Sequence, residues 1–455
     1  MYGCETWCLS KRDKRRLEAF EMWSYRKLLG NSWRDHITNE EVLQRIEGGR
    51  HLLRTLSERR ARWIGHVIRQ EGLLHSKMEG MTEGTNSRGR PRREYLEDLL
   101  VDVRYDVHAV FMKNWDSVDE IGFCTSEKDY EDARVVCKKL DIPITQVNFV
   151  KQYWNDVFTN TVKDFQNGLT PNPDILCNSK VKFKCFYEHC LNKLNADAIA
   201  TGHYANTSFG PYLEDYKEGV RVKLLQPLDK FKDQTFFLAQ VPQSPLRRTM
   251  FPLANLNKTT VRSIAKREGL LNVATKKDST GMCFVGHRQF KDFISGYVDS
   301  KPGDFIDFES GKVLGRHNGI HQWTLGQRCH IGGLTRRHFV LKKNLEDNSI
   351  YVIGGTEHPS LLTKVVMTNA PNWIADEPEA LKKDGVFRCY FRFQHTKPFV
   401  KCRIMKTAGG LVLILDTSLR AITQGQYAIF YSDNECFGSA RIVNIGPSLM
   451  FVRDI

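Results

Sequence analysis

The sequence has no apolar run approaching membrane-spanning length, so no membrane-spanning helix is expected. It has no short cysteine spacing repeated along the chain; its 12 cysteines are scattered. Scattered thiols suit a reducing compartment, where they stay available for chemistry, better than a disulfide-stapled secreted fold. The densest group, Cys177, Cys185 and Cys190 with His189, has intervals that fit no common zinc motif, and no metal site is expected. Residues 1–20 are basic but carry acids and no apolar core, which does not describe a secretory signal and describes a transit peptide poorly. Acidic residues are also short: 53 Asp and Glu face 67 Lys and Arg, a net charge of +14. Such an excess concerns partners rather than fold. A nucleic-acid backbone is the leading partner; a generally basic protein is the plainer alternative.

A chain of 455 residues has room for about three domains and can bury large cores without staples. Its first hundred residues read differently from the rest. Residues 11–70 are helical in pattern and dense in Arg, with Trp23, Trp33 and Trp63. A loop follows, Gly84-Thr-Asn-Ser-Arg-Gly-Arg-Pro-Arg-Arg93, without hydrophobic periodicity. Its Arg88-Gly-Arg-Pro91 could enter a minor groove, or could simply be a solvated linker.

From about Tyr105 the pattern turns α/β. Residues 106–111 alternate like a strand. Residues 128–140 place Tyr130, Ala133, Val136 and Leu140 on one helical face. Residues 142–150 form the next strand, and residues 181–194 a helix with Phe183, Phe186, Tyr187, Cys190 and Leu194 inward. Residues 198–201 form a short strand opening into Gly202-His203. Strands alternating with helices predict a parallel sheet covered on its faces, whose ligands sit beyond the carboxyl ends of the strands. Met112, Gly202 and His203 fall there; His203 reads equally well as a packing histidine.

Two cysteines lie in segments suited to chemistry. Cys177 ends Thr170-Pro-Asn-Pro-Asp-Ile-Leu-Cys177, where two prolines fix the backbone. Cys283 lies in Ser279-Thr-Gly-Met-Cys283-Phe-Val-Gly286, where glycines open conformations closed to other residues. Two such thiols suit sulfur relay, one carrying a labile sulfur and the other resolving a mixed disulfide; the plain alternative is two small buried hydrophobes. Lys276 and Lys277 precede Cys283, and nearby positive charge favours a thiolate. A helix is expected over residues 258–270. The last part, residues 301–455, is β-rich: Phe387, Cys389, Phe391 and Phe393 alternate with Arg388, Tyr390, Arg392 and Gln394, as in a half-buried strand. Further short strands predict a small barrel or sandwich, a plausible RNA platform.

These motifs resemble the tRNA-specific 2-thiouridylase family from residue 105 to the end, the mitochondrial members in particular. The resemblance is carried by Val110-Phe-Met-Lys-Asn-Trp-Asp116, Thr170-Pro-Asn-Pro-Asp174 with Cys177, Ala200-Thr-Gly-His-Tyr204, Phe231-Lys-Asp-Gln-Thr235, Gly281-Met-Cys-Phe284, Thr324-Leu-Gly-Gln327 and Gly425-Gln426, all in order. It implies an α/β fold with a PP-loop ATPase-like nucleotide-binding domain at residues 105–228, a small central tRNA-binding domain at 229–300 and a C-terminal β-barrel at 301–455. It implies ATP-dependent sulfur transfer to the wobble uridine of tRNA, with ATP (and Mg2+ with it) and a persulfide donor. The partners implied are tRNA and an upstream cysteine desulfurase or relay protein, the location mitochondrial with the cytoplasm as alternative. By the same resemblance Cys283 receives sulfur as a persulfide and Cys177 attacks that persulfide. Asn172, Pro173 and Asp174 match the loop holding the target base, Asp174 being counted with the catalytic residues. Met112 and Gly202 match ATP-contacting positions. His203, Lys232, Asp233, Gln234, Arg392, Phe393 and Gln426 match tRNA-contacting positions.

Residues 1–104, by contrast, resemble the C-terminal tail of reverse transcriptases from non-LTR retroelements, through Tyr2-Gly-Cys-Glu-Thr-Trp7, Arg16-Leu-Glu-Ala-Phe-Glu-Met-Trp23, Asn39-Glu-Glu-Val-Leu43, Arg60-Ala-Arg-Trp-Ile-Gly-His-Val67 and Gly89-Arg-Pro-Arg92. The match includes no polymerase palm, so no polymerase activity is expected. This helical extension stands where 2-thiouridylases carry a strand, a Ser-Gly-Gly-x-Asp-Ser loop and a helix, the parts that bind the pyrophosphate of ATP. Residues 1–110 contain no such loop: Gly48-Gly49 lacks the Asp-Ser continuation and a preceding apolar strand. The parallel sheet is therefore expected to be incomplete and catalysis weak or lost. The alternatives are a tRNA-binding protein without catalysis and a retroelement fusion.

Overall fold

The computed structural model describes residues 11–30, 35, 37–46, 52, 105–116, 125–276, 284, 285 and 288–451. The chain divides into two compact units, Met1–Val107 and His108–Ile455.

In the first unit, α1 (Lys11–Leu28) and α2 (Asn39–Arg45) are the described helices. Thr38 caps α2 reciprocally: its Oγ1 accepts from the Glu41 amide at 3.2 Å, and the Glu41 carboxylate accepts from the Thr38 amide at 2.8 Å. Met22 and Val42 are buried. The Arg88–Pro91 stretch and the Trp33 and Trp63 positions lie outside the described residues.

The second unit opens with β1 (Ala109–Lys113), which pairs in parallel with β2 (Ile144–Asn148) across α3 (Thr125–Lys139). Tyr130, Ala133 and Val136 of α3 are half-buried. Leu140, expected inward, is exposed, because the helix ends at Lys139 and Asp141 turns the chain with a positive φ of 54°. A helical run follows: α4 (Val150–Tyr153), a π-helical stretch Trp154–Phe158, and α5 (Thr159–Gln166). A second run comprises α6 (Pro173–Cys177), a π-helical stretch Asn178–Phe186 broken at Phe183, and α7 (Tyr187–Lys193). Phe183, Tyr187 and Cys190 point inward as expected; Leu194 lies past the helix end and is exposed. A second parallel pair joins β3 (Ile199–Ala200) to β6 (Thr249–Met250).

The parallel pairing agrees with the sequence. β1–β2 and β3–β6 are separate pairs among the described strands. Every residue of β1 is only half-buried, where a strand inside a covered parallel sheet would be buried on both faces.

The β-rich region, where a small barrel or sandwich was expected, holds two sheets, the second of which closes as a barrel. The first is five-stranded: β7 (Gly303–Asp307), β8 (Val313–His317), β9 (Arg328–Cys329), β10 (His338–Asn344) and β11 (Ser349–Gly354), around Phe305, Cys329, Val340, Ile350 and Val352. The second comprises β12 (Leu362–Thr368), β14 (Val386–Arg392), β15 (Val400–Thr407), β16 (Gly410–Arg420), β17 (Tyr427–Ser432) and β18 (Glu435–Ile445). Its order is β12-β16-β15-β14-β17-β18, and β12 pairs back onto β18, closing a six-stranded barrel. Alternation reports which way a side chain faces, not which strand it pairs with, so the division was invisible in the pattern. The short β13 (Asn372–Trp373) and β5 (Leu224–Leu225) pair with β18, and β4 (Asn206–Thr207) pairs with β5. The α/β domain is thus stitched into the barrel by main-chain bonds. The shared core includes Phe236, Leu246 and Phe251 with Ile429 and Tyr431 of the barrel.

Candidate active site and RNA-binding surface

The segment before Cys177 is held by the barrel. Asn172 is the extended N-cap of α6: its Oδ1 accepts from the Ile175 amide at 3.3 Å. Pro173 takes the first helical position, where its missing N–H costs nothing. Asn172 Nδ2 donates to Gln426 Oε1 at 3.3 Å, and Gln426 Nε2 donates to the carbonyls of Thr170 at 3.0 Å and Pro171 at 3.2 Å. The Thr170 amide donates to the Gln424 carbonyl at 3.0 Å. Gly425 makes this approach feasible. Its φ is +91°, and a Cβ there would stand 3.1 Å from the Thr170 amide nitrogen. Arg441 adds an ion pair to Asp164 of α5. Gln426, read in sequence as a tRNA contact, thus has its amide engaged in positioning the base-loop candidate.

Asp174 follows at the rim. Its side chain is exposed on one side, yet enough protein packs around it to push its carboxyl above the usual range, opposed by the Lys182 ammonium. Cys177 ends α6 and is buried in an aromatic cluster with Trp115, Tyr153, Phe158, Phe284 and Phe293. Trp115 and Phe158 stand 4.9 Å apart between centroids, Phe158 and Phe284 5.3 Å. Cys283 itself lies outside the described residues; Phe284, which follows it in sequence, is fully buried in this cluster. Lys276, expected to act on the Cys283 thiol, has its ammonium engaged with Asp129 at 2.6 Å and Asp132 at 3.0 Å, and Lys277 is not among the described residues.

Met112, near the carboxyl end of β1, packs on the same aromatic cluster. Gly202 follows β3 and is exposed; a Cβ there would meet only Leu253, at 4.0 Å, so its surface is open. These two positions sit on different strand pairs. His203 is half-buried, tilted against Phe183 at 5.7 Å, with Nδ1 3.0 Å from Thr201 Oγ1. Desolvation, with the Lys182 charge adding to it, lowers its pKa to about 3, so the ring is neutral. Lys182 therefore acts on both Asp174 and His203; sequence reasoning missed it because only the folded helical run brings it near them.

Lys232, Asp233 and Gln234 part ways. Lys232 is half-buried. Asp233 is fully buried: its carboxylate accepts from Gln226 Nε2 at 2.6 Å, the Thr235 amide at 3.0 Å and Thr235 Oγ1 at 2.6 Å. Gln234 exchanges bonds with Tyr204, its Oε1 accepting from the Tyr204 amide at 2.9 Å and its own amide donating to the Tyr204 carbonyl. The two therefore build the loop and its seat beside His203. Phe231, one residue earlier, is 94% exposed, held out by Asp229, whose Oδ1 accepts from the Phe231 and Lys232 amides at 3.1 and 3.2 Å. Sequence reasoning did not single it out. On the barrel, Phe393 is buried and stacked on Phe391, 5.9 Å between centroids. Arg392 lies over the Phe399 ring at 4.3 Å, with Nε donating to the Lys397 carbonyl at 2.7 Å.

The chain is of the HUP-domain class, an α/β domain followed by two β modules, with its cysteine loop seated on the second. The chain matches three family models in series, described as a tRNA methyl transferase HUP domain over residues 96–287, a tRNA methyl transferase PRC-barrel domain over 291–354 and an aminomethyltransferase beta-barrel domain over 363–442. It is 49% identical over 351 residues to mitochondrial tRNA-specific 2-thiouridylase 1 of Drosophila melanogaster, covering 77% of this chain and 90% of that one. It is 46% identical over 361 residues to the Homo sapiens protein of the same name, covering 76% and 86%. The bacterial tRNA-specific 2-thiouridylase MnmA of Alkaliphilus oremlandii is 42% identical over 352 residues, covering 76% and 93%. The chain belongs to the tRNA-specific 2-thiouridylase family.

Proposed function

We propose that this protein is a tRNA-uridine 2-sulfurtransferase that keeps the tRNA-binding and sulfur-handling parts of the reaction and has a strongly weakened ATP-dependent step. The observation that carries the first half is the seating of the Asn172–Cys177 segment on the barrel through Gln426, with Cys177 and Phe284 in one aromatic cluster.

Uridine O2 attacks the α-phosphorus of ATP, pyrophosphate leaves, and the carbonyl oxygen becomes a leaving group. The terminal sulfur of a Cys283 persulfide attacks C2, and AMP departs. The Cys177 thiolate then attacks the Cys283 sulfur; the S–S bond to the substrate sulfur breaks, leaving 2-thiouridine and a Cys177–Cys283 disulfide that an external thiol reduces. Asn172, Pro173 and Asp174 hold the unstacked base. His203, Lys232, Arg392 and the exposed Phe231 meet the RNA. Asp233, Gln234 and Phe393 act from within, by holding those groups in place. The persulfide comes from a sulfur-donor protein, Mg2+ arrives with the phosphates of ATP, and the compartment is the mitochondrion, as the names of the relatives indicate.

The second half rests on the sheet. Met112 and the open surface of Gly202 suit an adenosine, but no glycine-rich loop precedes β1 in the sequence to cradle the phosphates. The two separate strand pairs and the half-buried β1 support the loss of a strand between them.

The test is nucleoside mass spectrometry on unmodified tRNA incubated with the chain, ATP, Mg2+ and a persulfide donor. We expect persulfide on Cys283 and tRNA binding, with 2-thiouridine roughly a hundred-fold or more below the Drosophila relative, the scale of losing about 3 kcal/mol of phosphate anchoring. Turnover equal to that relative would overturn the weakened step; no tRNA binding would overturn the whole reading.

A further inference from the structure

β14 and β15 pair so that Arg388 stands directly opposite Arg403, and Tyr390 directly opposite Lys401. All four side chains are exposed on the outer face, while Phe387, Cys389, Phe391, Cys402 and Ile404 fill the barrel. Side chains opposed in this way have Cβ atoms about 5 Å apart, and like charges so placed destabilise the sheet. Among the described residues, neither arginine nor Lys401 has a carboxylate within ion-pair distance, although Lys406, further along β15, is paired with Glu377.

The same row continues to Arg392, whose Nη1 is buried without a hydrogen-bond partner. Past it, His395 bonds to the carbonyl of Asp233, in the loop that carries Lys230, Phe231 and Lys232. That loop is also tied to the barrel at Asn434, which accepts from Lys230 Nζ at 2.7 Å. The cations of the barrel face are thus continuous with the positions already read as RNA contacts, and they extend past them across a second strand. A face that stays cationic and unpaired at the expense of sheet stability is shaped for an anion supplied from outside.

We propose that the outer face of β14 and β15 binds the phosphodiester backbone of RNA, with Arg388 and Arg403 gripping one phosphate, Lys401 a neighbouring one, and Tyr390 packing on the sugar or base between them. The proposal rests on the tRNA-binding reading above and enlarges its footprint.

The experiment is binding of an unmodified tRNA transcript to the full chain by fluorescence anisotropy across a salt series, for wild type, R388Q/R403Q and R388K/R403K. Binding to phosphates releases counterions, so each phosphate contact contributes about 0.7–0.9 to the slope of log K against log salt. For R388Q/R403Q the slope should be shallower by about that amount, with affinity lower by roughly ten-fold at low salt. R388K/R403K should keep the wild-type slope, and the melting temperature of R388Q/R403Q should hold or rise as the opposed charges are removed. An unchanged slope in R388Q/R403Q, or lost affinity that merely follows a lower melting temperature, overturns the proposal while leaving the functional reading intact. Absence of tRNA binding by the wild type overturns both.

Discussion

The α/β domain has two sides that differ sharply. On the base side, residues 170–177 are bound to the barrel through Gln426, Gln424 and the close approach at Gly425, and the chain runs straight into a dense aromatic core. On the proposed nucleotide side, β1 is half-buried along its whole length and, among the described strands, pairs with β2 alone. The two sides use the same core, since Met112 of β1 and Cys177 pack on one cluster. The contrast shows that contacts with the barrel hold residues 170–177 in place while β1, on the other side of the same core, stays half-buried.

The sharpest way to break this contrast is to repair the nucleotide side. Replacing residues 1–107 with a strand, a Ser-Gly-Gly-x-Asp-Ser loop and a helix should raise ATP-dependent 2-thiouridine formation by at least about a hundred-fold, the rate equivalent of about 3 kcal/mol. No gain would mean that the nucleotide side is not what limits the chain. In that repaired protein, Cys177→Ser should reduce 2-thiouridine formation by about a thousand-fold or more, because the nucleophile of sulfur release is removed. Its tRNA affinity should change by less than about two-fold, since the Cys177 side chain is buried. A large loss of affinity would place Cys177 in binding rather than in sulfur transfer.

The adjacent pair Lys232 and Asp233 tests the division within one loop. Asp233→Ala leaves buried donors of Gln226 and Thr235 unpaired and should cost about 2–4 kcal/mol, read as a lower melting temperature. Lys232→Ala should lower melting less than Asp233→Ala does and weaken tRNA binding about five-fold. Gln426→Ala removes three hydrogen bonds to residues 170–172 and should cost about 2 kcal/mol, with faster amide exchange over residues 170–177. Unaltered exchange there would show that the barrel does not hold the loop.

The smallest effect concerns pH. His203 stays neutral in the fold down to about 3, whereas the unfolded chain takes up that proton near the ordinary histidine value of 6.5. The unfolded state therefore binds more protons between those values, and the stabilisation present above pH 6.5 is lost as the pH falls towards 3. Discounted for partial exposure, His203→Asn should reduce that loss by about 1 kcal/mol. Identical pH profiles for the two proteins would show that the ring is solvated.

Much of this was legible beforehand. The alternation around Phe387–Phe393 foretold the inward and outward faces of β14, and the helix carrying Tyr130, Ala133 and Val136 was placed within one residue of its C-terminal end and three of its N-terminal end. Leu140 and Leu194 escaped because periodicity does not announce where a positive-φ residue ends a helix. The burial of Asp233 beside the half-buried Lys232 was not legible, because neighbouring residues in a loop carry no period and only the folded partners decide which one turns inward. The second β module was hidden for a related reason: strand pairing is a long-range choice.

By itself, the sequence determined the family, the cysteine-bearing loops, the parallel-then-antiparallel order of strands and the absence of a phosphate loop, because motifs, periodicity and missing residues are all local properties of a chain. Only the tertiary structure decided that Gln426 positions the Asn172 loop, that Lys182 faces both Asp174 and His203, and that Arg388 meets Arg403 across two strands. Each of these depends on hydrogen bonds, burial and electrostatic fields between residues far apart in sequence, which exist only once the chain has closed upon itself.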